Sequence, residues 1–179
     1  MLKKVLLSIA ALVVLLFAFL VYEGLFAKTN IVTAEEGGYL MMGLDHRGGY
    51  HKIGDVFEKV KAQVSQSGIA NAKYAGVYFD DPDTMPEDSL KSFAAVIVTS
   101  TQDSLKLASV EGFHAIQINR GKAMTCDMES HDFVSQMLSI VKAYGAFGDY
   151  FTANPEEANG LKFVYELYNE KGTRFVFQF

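Results

Sequence analysis

The chain has 179 residues, one cysteine, three prolines and a formal net charge of −5. Outside the first 27 residues the balance is 14 Lys+Arg against 20 Asp+Glu, which argues against nucleic acid as a partner, because phosphate-backbone binding needs a basic face. A single cysteine excludes an internal disulfide and a thiolate zinc cage, and an aromatic share of 13% with so few prolines argues against disorder.

Val5 to Tyr22 carries no charge and follows Lys3-Lys4. As a helix such a run is about 27 Å long, close to the roughly 30 Å hydrocarbon core of a bilayer. A cleaved leader and an uncleaved signal anchor both begin this way. The run exceeds the roughly 7–15 apolar residues of a leader, and Leu25-Phe26-Ala27 puts a large leucine where cleavage prefers a small residue. The reading adopted is a single-pass anchor over residues 1–27, meeting the membrane through residues 5–22. Lys3 and Lys4 hold the amino terminus in the cytoplasm, so the rest is expected outside it, in the periplasm or at the cell exterior. Residues 28–37 are small, polar and acidic and read as a juxtamembrane linker; residues 38–179 read as one domain.

Within that domain Tyr39–His46 is a predicted strand. Ile53, Val56, Phe57, Val60 and Val64 recur at helical spacing, which predicts a helix from about His51 to Ser67, stopped by Gly68. Lys73–Asp80 reads as a strand, closed by the turn residues Asp81 to Pro86. Ser92–Thr101 is nearly continuous in apolar residues and reads as a central strand. His114–Asp127 holds strand-like stretches broken near Arg120-Gly121. A second helix is expected over Ser130–Tyr144, with Phe133, Met137, Val141 and Tyr144 on its apolar stripe. Lys162–Asn169 and Thr173–Phe179 close the chain as a hairpin. The order β-α-β-β thus occurs twice, and an offset of 77 lays Val60 on Met137 and Val64 on Val141. The fold class is α+β: pseudo-duplicated β-α-β-β units, an antiparallel sheet with two helices on one face.

Several stretches carry a resemblance. His46-Arg47-Gly48-Gly49-Tyr50 ahead of Ile53 and Phe57, Gly76-Val77-Tyr78-Phe79-Asp80-Asp81-Pro82 with Met85-Pro86, Arg120-Gly121-Lys122-Ala123, and Tyr165-Glu166-Leu167-Tyr168 together resemble GyrI-like small-molecule-binding domains over about residues 39–179. A membrane helix ahead of a lone domain is also similar to the arrangement in the testis-expressed autophagy receptor of the endoplasmic reticulum. The resemblance implies a pseudo-symmetric fold with a groove between the repeats that takes apolar, often cationic aromatic molecules. Members of this family serve as effector domains, stand-alone binders, protein inhibitors and, in a few branches, hydrolases. Many carry a glutamate early in the last strand; Arg174 stands in its aligned place here, which weighs against hydrolysis and against cationic ligands.

The residues expected to line such a groove are Tyr78, Tyr144, Glu166 and Tyr168. Strand alternation puts Glu166 and Tyr168 on one face with Val164. That face is either an aromatic pocket with a carboxylate of raised pKa or an ordinary wet face. Tyr78 is likewise either a pocket wall or core. Asp80, Asp81, Asp83, Glu87 and Asp88 fail the calcium-loop spacing and read as a solvated turn. His46, His51, His114 and His131 show no metal spacing, and no nucleophile elbow or phosphate loop occurs. No metal, cofactor or catalytic residue is therefore expected. The function expected is binding of a small hydrophobic or aromatic molecule without catalysis, with a protein-interaction module and, third, a hydrolase of small electrophiles as alternatives.

Overall fold

The structure, a computed structural model, describes residues 2–179. Its first element, α1 (Leu2–Tyr22), buries none of its residues and is the one helix among the described residues long and apolar enough to cross a membrane. There follow β1 (Val32–Glu36), β2 (Tyr39–Arg47), a 3-10 turn at Tyr50–Lys52, α2 (Ile53–Gln66), β3 (Lys73–Tyr78) and β4 (Lys91–Val98). The second half holds α3 (Thr101–Ala108), β5 (His114–Ile118), β6 (Gly121–Glu129), α4 (Phe133–Ala153), the short α5 (Pro155–Ala158), β7 (Phe163–Asn169) and β8 (Gly172–Gln178).

All eight strands form one antiparallel sheet in the order β1-β6-β8-β7-β3-β4-β2-β5. Read from either end, the order has the same form, with β1 and β5, β6 and β2, β8 and β4, β7 and β3 in equivalent places. The duplication is therefore a pseudo-two-fold whose axis runs between β3 and β7, and each half lends its first strand to the other. The central register pairs Gly76 with Glu166. Tyr78 and Tyr168 each stand two positions beyond this pair, so the axis brings them together on one face.

The sheet curls until its edges nearly meet. Gly37 (φ +108°), just beyond the edge strand β1, approaches the backbone of Asn119, just beyond the edge strand β5, so closely that any Cβ would collide with it. On the inner face Met41, Val77, Phe93, Tyr165 and Val176 are fully buried. The Tyr39 and Tyr165 rings, on non-adjacent strands, pack edge-to-face at 6.3 Å across that interior. The outer face carries the helices: α2 and α3 lie on β2 and β4, and α4 lies on β6 and β8, so that β3 and β7 run between α2 and α4.

Four expectations change. Residues 28–37 are not merely a linker, since Val32–Glu36 pairs with β6 as an edge strand. α3 is an additional helix, begun by Ser100, whose Oγ accepts from Asp103 N. α4 is nine residues longer at its C-terminal end than expected and buries a different line. Ser135, Ser139, Ala143 and Phe147 face the sheet, whereas Phe133, Met137 and Val141 are exposed. Small side chains let the helix sit close to β6, and their hydroxyls find local partners: Ser139 Oγ donates to Glu129 O, and Ser135 forms a capping box with Asp132. Finally, the offset of 77 does not superpose the helices, because Val60 and Val64 are buried where Met137 and Val141 are exposed.

Candidate functional site

Glu166 sits mid-strand on β7, facing the groove between α2 and α4, and is 3% exposed. Its carboxylate is held by hydroxyls from two elements. Tyr144 OH, near the middle of α4, donates to Oε1 at 2.9 Å. Tyr168 OH, two residues along β7, donates to Oε2 at 2.6 Å. Tyr78 OH lies 3.3 Å from Tyr168 OH. The four residues singled out from sequence are thus one contiguous cluster at the junction of the two halves, and the wet-face alternative for Glu166 does not hold.

The local backbone explains the convergence. Gly76 opposite Glu166 leaves the space that the hydroxyls fill: a Cβ there would lie 2.9 Å from Tyr78 OH and 3.2 Å from Tyr168 OH. The rings are braced from behind. Phe57 of α2 packs edge-to-face on Tyr168 at 5.4 Å, and Tyr50 on Tyr78 at 4.9 Å. On the other side Tyr144 packs on Phe175 at 5.7 Å and on Phe177 at 5.8 Å. Tyr50 is itself fixed, since its OH donates to Asp80 O and accepts from Asp80 N. Tyr50 and Phe57 were readable from sequence only as motif and core; their bracing role depends on chain reversal at Asp80.

Burial raises the pKa of Glu166, while the hydrogen bonds from Tyr168, Tyr144 and Tyr78 work against the shift. Burial also pushes the phenols of Tyr78, Tyr144 and Tyr168 upward, reinforced by the nearby Glu166 charge. The phenols therefore remain donors, and the carboxylate is an acceptor in an apolar setting. A buried carboxylate lacking a cation is costly, and charge-assisted hydrogen bonds worth about 1.5–3 kcal/mol each offset part of that cost.

Two depressions flank the cluster. One, of about 380 Å³, is lined by Gly49, Tyr50, His51, Pro82, Glu87 and Leu90. The other, of about 230 Å³, includes Tyr168, His131, Gln136 and Thr173. Glu166 lines neither, so the tyrosines close the groove over it. Met137 and Val141, exposed on the same side of α4 as Tyr144, form an apolar rim.

Arg174 does not face this cluster. It pairs in register with Leu167, whereas Glu166 pairs with Phe175, so it projects from the opposite face of the sheet. There Nη1 lies 2.7 Å from Glu36 Oε1, and Nε and Nη2 grip Asp127 at 2.7 and 2.9 Å. The arginine ties β1, β6 and β8 together and raises no objection to a cation beside Glu166. In the acidic turn, Asp80 Oδ2 accepts from Lys91 N and Asp81 Oδ1 from Asp83 N, as a solvated turn requires.

Comparison with known proteins agrees with the architecture. An integron cassette protein from the mobile metagenome of Vibrio cholerae superposes with a TM-score of 0.56 at 15% identity, covering 83% of this chain and 94% of that one. The C-terminal domain of EcmrR superposes with a TM-score of 0.50 at 12% identity, covering 84% and 96%. No curated protein matches the sequence. The sequence profile of one family, described as the GyrI-like small molecule binding domain, matches residues 29–173. With a duplicated, curled antiparallel sheet, helices on its outer face and that match over most of its length, the chain belongs to the GyrI-like family.

Proposed function

We propose that the protein is a membrane-anchored GyrI-like domain that binds a small aromatic molecule, without chemistry, in the groove between its halves. The single observation that carries this reading is the buried Glu166 carboxylate, ringed by Tyr144, Tyr168 and Tyr78 hydroxyls where the repeats meet. An apolar groove with a few converging polar groups is the ordinary form of a small-molecule site. Ligand entry has to displace the Tyr78 or Tyr168 hydroxyl from the cluster, against the packing of Tyr50 and Phe57 on those rings, and it exposes an acid between aromatic walls. A flat aromatic ring suits such walls, and a ligand cation would gain the carboxylate, because Arg174 is committed to Glu36 and Asp127 on the other face. Both carboxylate oxygens accept hydrogen bonds from tyrosine hydroxyls, an arrangement suited to holding charge rather than passing a proton along.

The apolar, wholly unburied α1 supports anchoring, and Lys3-Lys4 at its start supports an extracytoplasmic domain. None of the three buried clusters draws on α1, so residues 30–179 are suited to ligand work in water. Calorimetry with a panel of neutral and cationic aromatics is expected to find binding that Tyr78→Ala and Glu166→Gln weaken. Absence of binding across the panel would refute the reading.

One observation favours a second reading, a protein-interaction module with a closed groove: Glu166 is 3% exposed while Phe133, Met137 and Val141 stand open on α4. That reading expects one stoichiometric partner from solubilised membranes, lost on Phe133→Ser with Val141→Ser, and no ligand effect of Glu166→Gln.

A further inference from the structure

Where α1 gives way to the domain, Glu23 turns inward. Its side chain is 2% exposed and its Oε2 lies 3.3 Å from His131 Nε2. That oxygen is buried and makes no hydrogen bond. Asp132 stands beside it, so Glu23, His131 and Asp132 each offer one ligand atom, all within 4.8 Å of one another. The neighbouring cation is already committed: Lys142 Nζ donates to the carbonyls of Gly24, Leu25 and Ala27. Two carboxylates thus converge on an imidazole, and one buried oxygen, though close to that imidazole, makes no hydrogen bond, which an interior does not ordinarily tolerate.

We infer that Glu23, His131 and Asp132 form a site for a divalent first-row metal ion, zinc being the occupant that suits them best. One imidazole nitrogen and two carboxylate oxygens are established zinc ligands. In tetrahedral zinc, bonds of about 2.0–2.1 Å set ligand atoms about 3.3 Å apart, the separation already present between Glu23 and His131. Asp132 closes the set with a small side-chain movement. Its Oδ1 is the helix cap, accepting from Ser135 N at 2.9 Å and Ser135 Oγ at 2.9 Å, which fixes the carboxylate as a supporting hydrogen bond does for a metal ligand. The Tyr22 ring packs edge-to-face on His131 at 5.1 Å and restrains the imidazole. The ion would join the exit of α1 to the first turn of α4 and pin the domain against its apolar helix. A fourth position remains for water.

The full chain in detergent, stripped with EDTA and dialysed against ZnCl2, is expected to retain one zinc ion per chain. Glu23→Gln and His131→Ala should each lower the affinity by more than about tenfold, since a ligand is removed outright. Asp132→Asn, which keeps the cap acceptor, should weaken it as well, while His51→Ala should not. Cobalt in place of zinc should give the visible absorption of a four-coordinate ion, altered by Glu23→Gln. Glu23 lies outside the buried clusters, and circular dichroism would confirm that its variant is folded. Zinc well below one per chain would overturn the site, as would retention or a cobalt spectrum unchanged in Glu23→Gln and His131→Ala.

Discussion

Gly76→Ala adds one methyl group at the centre of the pseudo-two-fold axis. Its Cβ would lie 2.9 Å from Tyr78 OH and 3.2 Å from both Tyr78 Cε2 and Tyr168 OH. Relief to ordinary contact requires the hydroxyls to shift by roughly half an ångström or more. Tyr50 and Phe57 stand against the two rings at 4.9 and 5.4 Å, so the rings have little room, and a shift of Tyr168 misaligns its 2.6 Å bond to Glu166. Overpacking of this kind costs about 1–3 kcal/mol, and replacing a strand glycine by alanine returns about 0.5–1 kcal/mol of backbone entropy. The expected net loss is about 1–2 kcal/mol, or roughly 3–6 °C in Tm for a domain of this size. Urea denaturation of residues 30–179 followed by circular dichroism measures it. The same substitution in a Tyr78→Phe background, where the nearest oxygen is gone, should cost at most half as much. Equal losses in the two backgrounds would refute the crowded-axis account.

Glu166→Gln tests the buried carboxylate through pH. Because burial raises the Glu166 pKa above its ordinary value of 4.5, both states hold the proton below that value and neither is penalised. As pH rises the unfolded chain ionises first, so the parent loses stability until the folded group ionises too. Urea titrations should therefore show the advantage of Glu166→Gln over the parent growing from below pH 4.5 toward neutral; a parent that gains on the variant would contradict this. Arg174→Ala should lose about 1–2 kcal/mol, reduced by solvent screening and by added salt, because the Asp127 and Glu36 pairs are partly exposed. On α4, Phe133→Ser and Val141→Ser should change stability by no more than about 0.5 kcal/mol, whereas Ser139→Leu should cost roughly 1–3 kcal/mol; the reverse ranking would restore the apolar stripe to the core.

The architecture was legible where large side chains mark the buried face. The α2 stripe of Ile53, Phe57, Val60 and Val64 is buried as its spacing requires, and the closing hairpin around Glu170-Lys171 forms as its residues suggest. α4 misleads for a physical reason: it packs through Ser135, Ser139 and Ala143, the two serine hydroxyls being satisfied by Asp132 and by the Glu129 carbonyl at the end of β6, and shows Phe133, Met137 and Val141 to solvent. β1 hides because Val32–Glu36 is a polar edge strand whose Glu36 is taken up by Arg174, far along the chain. Tyr78, Tyr144, Glu166 and Tyr168 could each be named from sequence, but the seven residues of β7 do not say which of its faces the helices cover. The register puts Gly76 and Glu166 on one face, and Tyr144 of α4 and Phe57 of α2 reaching Glu166 and Tyr168 mark it as the helix-covered one. The Glu23 and His131 contact joins the helix exit to α4, and no local spacing announces it.

The most direct test of the account is calorimetric titration of residues 30–179 with matched aromatics, naphthylmethylamine and naphthylmethanol among a wider panel, against the parent and Glu166→Gln. Saturable one-to-one binding is predicted, with the amine preferred over the alcohol in the parent and that preference lost in Glu166→Gln. No binding by any member of the panel, or a preference for the amine that survives removal of the carboxylate, would contradict a ligand site at the junction of the two halves.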